Sequence, residues 1–312
     1  MGLAPFWRGN DCGVDEHPPS RLRTSWRRPA HLGRATHGPL VVIERNPISG
    51  DAVIVAPGRA ARPNEFRQMS DRCPFCPGNE SDTPPEIWRD GDPWQIRVFP
   101  NKYPATEDHE VIVEGSDHAR GFDQIAADVA ARAVNAWIDR YRAMSRSSRY
   151  VCVFKNHGVL AGATILHPHS QILGVPFIPS RIAKEAEAFT SRCALCELRD
   201  EKIDATQNYR WIAPRGSMMA YEQWIVPVHH TNEMREGLEL ASLLQRAARA
   251  MLAISDSFNW MFINFPQQPA AHWYVQLFPR LTMHAGFELG TGSAINTVDP
   301  RTAAQRFGGS RP

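Results

Sequence analysis

The chain has 312 residues, 43% of them hydrophobic and 22% charged. That is the balance of a globular protein with a substantial core and, at roughly 150 residues per domain, of about two domains. Thirty-five basic residues against 33 acidic ones leave a net charge of +2, which gives no electrostatic case for a nucleic-acid partner. No apolar run reaches about 18 residues, so no membrane span is expected. The N-terminus lacks an apolar signal core, which makes the cytoplasm the expected compartment.

Residues 1–36 are rich in Arg, Pro, Gly and Ser without sustained periodicity and read as a disordered tail. Two β-rich runs follow, Leu40–Arg45 and Ala52–Ala56, joined by the turn-forming Asn46-Pro-Ile-Ser-Gly50; they predict a hairpin. Short β-rich runs recur at Gln95–Phe99, Glu110–Val113, Tyr150–Phe154, Asn208–Ile212, Gln223–Val228, Met261–Phe265 and Trp273–Phe278. Two helical stripes interrupt them. The first is Phe122, Ile125, Val129, Ala133, Trp137, Tyr141 and Met144, and the second is Leu240, Leu243, Leu244, Ala247, Met251 and Ile254. Both read as core faces, and a shorter helix around Arg181–Phe189 joins the halves. Many strands with few helices predict an α+β architecture.

Only four of the basic residues are Lys (Lys102, Lys155, Lys184, Lys202). The Arg excess fits a coding bias, or the gripping of phosphate by some guanidinium groups. Of the six Cys, four form two C-x-x-C pairs, Cys73/Cys76 and Cys193/Cys196. In a chain without a signal peptide, such pairs point to metal or redox chemistry before structural disulfides.

The sequence also repeats itself. The first half runs Cys73-Pro-Phe-Cys76, His118, a helix, Val-Phe-Lys-Asn156, then His167-Pro-His169-Ser-Gln171. The second runs Cys193-Ala-Leu-Cys196, His229-His230, a helix, Met-Phe-Ile-Asn264, then His272-Trp-Tyr274-Val-Gln276. The separations of 45 residues from Cys73 to His118 and 49 from His118 to His167 become 37 from Cys193 to His230 and 42 from His230 to His272 in the second copy. Each half therefore offers two Cys and two His, a complete tetrahedral set for structural zinc. His229 and His230 compete for one ligand role. His167 and His272 correspond, but His169 corresponds to Tyr274, so only one copy has the extra His. A residue needed for folding should appear in both copies; the asymmetry marks His169 as chemical, with Gln171 on the same strand face and the flexible segment Gly158–Ala163 nearby. The bland reading is an ordinary buried or surface His.

The motif His167-Pro-His169-Ser-Gln171, preceded by Asn156 and Gly162-Ala163, resembles the active-site signature of the galactose-1-phosphate uridylyltransferase family, a branch of the histidine-triad superfamily. Arg45 to Pro63, Cys73-Pro-Phe-Cys-Pro-Gly-Asn79 and Val98-Phe-Pro-Asn101-Lys-Tyr-Pro104 resemble the family's N-terminal hairpin, zinc turn and nucleotide-side strand. The resemblance implies two tandem histidine-triad-like domains, 37–180 and 181–312, each a mainly antiparallel sheet with helices packed on it. It implies a ping-pong reaction in which His169 attacks the α-phosphorus of a nucleotide sugar, releases hexose 1-phosphate and passes the held nucleotide to a sugar 1-phosphate. By the same resemblance Gln171 and Asn156 join His169 in catalysis, Arg59 and Arg62 meet the nucleotide phosphates, Asn101 meets base and ribose, and Phe287 and Glu288 meet the hexose. Two zinc ions per chain are implied, on Cys73, Cys76, His118 and His167 and on Cys193, Cys196, His230 and His272. The partners implied are a nucleotide sugar, a sugar 1-phosphate and a second copy of the chain completing the sugar site.

The departures are specific. The iron site of the best-known bacterial members needs a His-x-His where this chain has Tyr274 and Gln276, so no iron site is expected. The second Cys/His set and Ala285-Gly-Phe287-Glu288-Leu-Gly-Thr-Gly read closer to the ADP-glucose phosphorylase branch, and the Lys and Gln that usually contact the sugar phosphate fall on Thr282 and Ala294. The leading expectation is UMP transfer between a UDP-hexose and a hexose 1-phosphate. The alternatives are adenylyl transfer to phosphate, a relative making an unusual sugar nucleotide, and a zinc-stapled binding domain.

Overall fold

A computed structural model describes residues 41–61, 72–235 and 237–308. The predicted tail lies outside the described residues, as do Arg62 and Leu40. The N-terminal hairpin forms from β1 (Val42–Arg45) and β2 (Ala52–Val55), paired antiparallel. Asn46 closes its turn by accepting the N–H groups of Ile48 and Ser49 on its side-chain oxygen.

The remaining strands build one ten-stranded antiparallel sheet. The first half contributes β3 (Trp88–Arg89), β4 (Ile96–Pro100), β5 (His109–Glu114), β6 (Tyr150–His157) and β7 (His169–Val175). The second contributes β8 (Glu201–Ala205), β9 (Tyr209–Ala213), β10 (Gln223–Pro227), β11 (Phe258–Ile263) and β12 (Tyr274–Pro279). Their spatial order is β3-β4-β5-β7-β6-β11-β12-β10-β9-β8. Read outward from the β6–β11 seam, the two halves have the same order, and each has a long helix between its third and fourth strands: α1 (Ala127–Met144) and α4 (Leu238–Leu252). The repeat read in the sequence is thus a repeat in topology, fused along one edge into a continuous sheet.

Strand alternation sends alternate side chains to opposite faces. Ile96, Val98, Ile112, Val153, Ile172, Val275 and Leu277 join α1 and α4 in one core that crosses the seam. At its centre Phe122, Trp137, Trp260 and Phe262 pack with ring centroids 4.9–6.0 Å apart. The second helix is further tied to the segment leading into the first, where Gln245 Nε2 donates to the carbonyls of Phe122 and Ile125. The opposite face carries two smaller clusters. One, around Phe75, Phe99, Val111 and Val113, lies under the first C-x-x-C turn. The other, around Ile182, Phe189, Leu195 and Tyr274, holds α2 (Ser180–Ala186), the short α3 (Ala194–Glu197) and the second pair. The chain closes with α5 (Gly286–Thr291) and α6 (Pro300–Gly308), the latter packing Ala303, Ala304 and Phe307 into the main core. No described helix is long and apolar enough to cross a membrane.

Candidate active site and metal centres

His169 begins β7 and, by the alternation of that strand, faces away from the two long helices together with Gln171, while Ser170 and Ile172 face them. It is buried, and its Nδ1 lies 2.8 Å from the backbone carbonyl of His167. A carbonyl can only accept, so Nδ1 bears the proton and Nε2 the lone pair. The ring forms part of the wall of two cavities. One, of about 270 Å³, is lined by Phe75, Thr83, Phe99, Asn101, Tyr103 and Gln171 among others. The other, of about 170 Å³, is lined by Asn156, His157, Leu166 and Asp256 among others. A nucleophilic nitrogen with apolar walls and a few amide groups around it suits an in-line attack that must exclude water.

The amides are themselves held. Gln171 Oε1 accepts from His109 Nε2 at 3.0 Å and from Asn101 Nδ2 at 3.3 Å. Asn101 Oδ1 accepts the N–H of Tyr103. Across the seam, Asn156 Oδ1 accepts from Asn259 Nδ2 at 2.8 Å, and the same amide donates to the carbonyl of Ala161 in the segment beside His169. Arg59, on a short turn after β2, donates to the carbonyl of Tyr103 at the cavity rim and approaches His109 Nδ1 at 3.4 Å. His169, Gln171, Asn156, Asn101 and Arg59 are therefore neighbours. Phe287 and Glu288 are not: they ride on α5, where Phe287 is exposed and Glu288 accepts the N–H of Ala285.

Both C-x-x-C turns meet their two His. Cys73, Cys76, His118 and His167 bring their donor atoms within 4.8 Å of one another, and so do Cys193, Cys196, His230 and His272. Cys76 Sγ lies 3.4 Å from His118 Nδ1 and 3.6 Å from His167 Nδ1; Cys196 Sγ lies 3.5 and 3.7 Å from His230 and His272 Nδ1. These are the separations between neighbouring donors around a tetrahedral ion with bonds of about 2.0–2.3 Å. His230 rather than His229 faces the second pair; His229 lines a cavity with Tyr209, Arg235 and Trp273 instead. Burial pushes the Cys73 thiol up to about 12, so only a bound cation would hold it as thiolate at neutral pH. Burial also holds the His167 imidazole down at about 4, the neutral form that ligates. Phe75, inside the first turn, sets its ring edge-on to His169 at 5.2 Å, and His167 supplies the carbonyl that orients His169. The first centre thus touches the nucleophile from two sides.

In the second half the equivalent position is filled. Tyr274 OH donates to Glu185, Arg181 spans Glu185 and Gln276 Oε1, and Gln276 Nε2 donates to Glu222. Glu222 also accepts from Trp224 Nε1 and from the N–H groups of Met218 and Met219. This network occupies the faces of β10 and β12 where the first half holds its reacting group. Among the described residues only the two Cys/His sets gather as metal-ligand groups.

One feature of the site is invisible in the motif. Under β7, on the helix side, Lys155 Nζ donates to Glu114 and, at 2.9 Å, to the backbone carbonyl of His169, while Ser170 Oγ donates to the other Glu114 oxygen. Both charged groups are fully buried.

A family model described as the N-terminal domain of a domain of unknown function (DUF4931) matches residues 58–178. ADP-glucose phosphorylase from Arabidopsis thaliana is 29% identical over 84% of this chain and 91% of its own length. The galactose-1-phosphate uridylyltransferase of Thermotoga maritima is 25% identical over 86% and 98%. The chain is thus similar along most of its length both to a galactose-1-phosphate uridylyltransferase and to an ADP-glucose phosphorylase. In three dimensions it matches the crystal structure of the Arabidopsis ADP-glucose phosphorylase with bound ADP-glucose at a TM-score of 0.71 and 28% identity, covering 87% of this chain and 99% of that one. A uridylyltransferase structure matches at 0.73 with 20% identity, over 86% and 97%, which shows the shared fold.

Proposed function

We propose that this relative of named uridylyltransferases and a named phosphorylase is a nucleotidyltransferase that works through a nucleotidyl-histidine on His169. The observation that carries the reading is the fixed tautomer of His169 at the meeting of two cavities. Nε2 would attack the α-phosphorus of a nucleoside-diphosphate hexose as the bond to the bridging oxygen breaks, and the electron pair leaves with the hexose 1-phosphate. The Nδ1–H bond to the His167 carbonyl stabilises the positive ring formed on attack, and the Gln171 amide stabilises charge on the phosphoryl oxygens. In the second half-reaction an acceptor phosphate oxygen displaces Nε2, returning its lone pair. Asn156, Asn101 and Arg59 act as binding groups around this centre, and Arg62 is assigned with them from the sequence. The two Cys/His sets fit zinc, which would staple each C-x-x-C turn to the sheet and supply no step of the reaction. The matched strand orders of the halves support a division into two histidine-triad-like units at residues 37–180 and 181–312. Phe287, exposed, and Glu288, half-buried beside it on α5 and outside the two cavities that His169 lines, are assigned to the sugar site of a partner copy.

Transfer of UMP between a UDP-hexose and a hexose 1-phosphate is one form of this chemistry. Adenylyl transfer from an ADP-hexose to phosphate is the second, and the higher identity to the Arabidopsis phosphorylase favours it. Acceptor competition separates them. Enzyme preloaded from UDP-glucose should release UDP-galactose on adding galactose 1-phosphate; enzyme preloaded from ADP-glucose should release ADP on adding phosphate. Loading from neither donor sinks both forms.

A further inference from the structure

We propose that His109 is a positioning residue for the transfer, acting through Gln171; the inference rests on the nucleotidyl-histidine reading above. His109 opens β5, is buried, and lies on the same face of the sheet as Gln171, one diagonal step across the β5–β7 ladder, where Val111 is the direct partner of Gln171. The N–H of Ala105 donates to His109 Nδ1 at 3.0 Å. A ring nitrogen that accepts a hydrogen bond bears no proton, so the proton of the neutral ring sits on Nε2. That N–H then points at the Gln171 carboxamide, 3.0 Å away, and the atom facing a donor must be the oxygen.

The consequence is an orientation. A carboxamide is nearly symmetric in shape, and its two ends exert opposite effects on a phosphoryl oxygen. Holding Oε1 against His109 and Asn101 leaves the amide NH₂ as the group Gln171 offers to the cavity it shares with His169. With the amide reversed, a carbonyl would face the phosphoryl oxygens and repel them. Asn101 supports the same setting, since its Oδ1 accepts the N–H of Tyr103 and its NH₂ is left to face Gln171 at 3.3 Å. His109 makes the shorter contact, 3.0 Å, and its direction is set by the backbone N–H of Ala105, which cannot reverse. Arg59 reinforces the setting: its guanidinium, which can only donate, lies 3.4 Å from Nδ1 and faces it as an accepting nitrogen.

The test uses the full chain and follows single-turnover transfer of label from UDP-glucose and ADP-glucose onto protein. His109→Phe keeps an aromatic ring and removes the relay. It should slow labelling by about 100-fold, the effect of losing one preorganised donor, with little change in the donor concentration needed for half-maximal rate. His109→Gln, whose Nε2–H can take the place of the ring Nε2–H, should recover most of the rate. His109→Asn, which can accept from Ala105 without reaching Gln171, should not. In a Gln171→Ala background, His109→Phe should cost nothing further. The inference is overturned if His109→Phe labels at the wild-type rate, if Asn rescues as well as Gln, or if the double variant multiplies the two losses. Wild-type protein that takes label from neither donor overturns the transfer reading itself, and this inference with it. Imidazole ¹⁵N shifts in wild-type protein give a readout independent of turnover: a proton on His109 Nδ1 in place of Nε2 would refute the relay.

Discussion

Lys155→Met tests whether the buried charge pair under β7 is part of the frame that holds the nucleophile. The ammonium is enclosed: it donates to Glu114 and to the carbonyl of His169, and it sits 5.7 Å from the ring centroids of Phe122 and Trp260. Methionine fits the volume but leaves the Glu114 carboxylate with Ser170 as its remaining named partner, in a setting with no water-exposed surface. Removing one member of a buried pair costs about 3–5 kcal/mol, because the other charge stays behind unpaired. At roughly 2 °C per kcal/mol for a chain of this size, Tm should fall by about 6–10 °C. Denaturant unfolding of the metal-loaded protein measures the loss directly. The double variant Lys155→Met/Glu114→Gln should be milder than Lys155→Met, since it removes both charges. A single variant within about 1 kcal/mol of wild type, or a double variant that adds the two single losses, would refute the reasoning.

Three further outcomes follow from the geometry. Cys76→Ser should lower both stability and transfer rate, because its turn carries Phe75 against His169, whereas Cys196→Ser should lower stability far more than rate; equal effects on rate would show the two centres to be functionally alike. Burial, helped by the nearby Lys155 ammonium, holds His157 down at about 4 against an ordinary value of 6.5, so the unfolded chain takes up that proton first. Its contribution to stability is present above pH 6.5 and is lost as pH falls from 6.5 towards 4, and unfolding midpoints at pH 7.5 and 5 should converge in His157→Gln. Gly158 sits at φ +82°, and a Cβ there would lie 2.3 Å from Ser257 Oγ and 2.5 Å from the carbonyl of Asp256. Gly158→Ala should therefore cost about 1–3 kcal/mol by thermal unfolding and displace the 158–163 segment; an unperturbed midpoint would count against the close approach.

The parts of this site that were legible in the sequence share one property: they repeat or alternate locally. Two C-x-x-C pairs with matching downstream His gave both donor sets, and the two-residue spacing of His169 and Gln171 placed them on one face. The hairpin was marked by its Asn-Pro-Ile-Ser-Gly turn, and the long helices by apolar stripes. The supports were not legible, because they join residues remote in sequence. His109 looks like any polar residue opening an apolar strand until Ala105 and Gln171 are seen on its two nitrogens. Lys155 and Glu114 are 41 residues apart and meet only across three neighbouring strands. The filling of the second site by Arg181 and Glu185 depends on where α2 packs, which no spacing encodes. Very short edge strands such as β3, and the closing helices α5 and α6, carry too few periodic residues to stand out from loops.

The central claim is a covalent nucleotide on His169. Mass spectrometry of the intact chain after brief exposure to UDP-glucose or ADP-glucose, without acceptor, measures it directly. The account predicts an added UMP or AMP group that is labile in acid, maps to the peptide containing His169, vanishes on adding the acceptor and never forms in His169→Gly. No adduct from either donor, or an adduct that persists in His169→Gly, would contradict it.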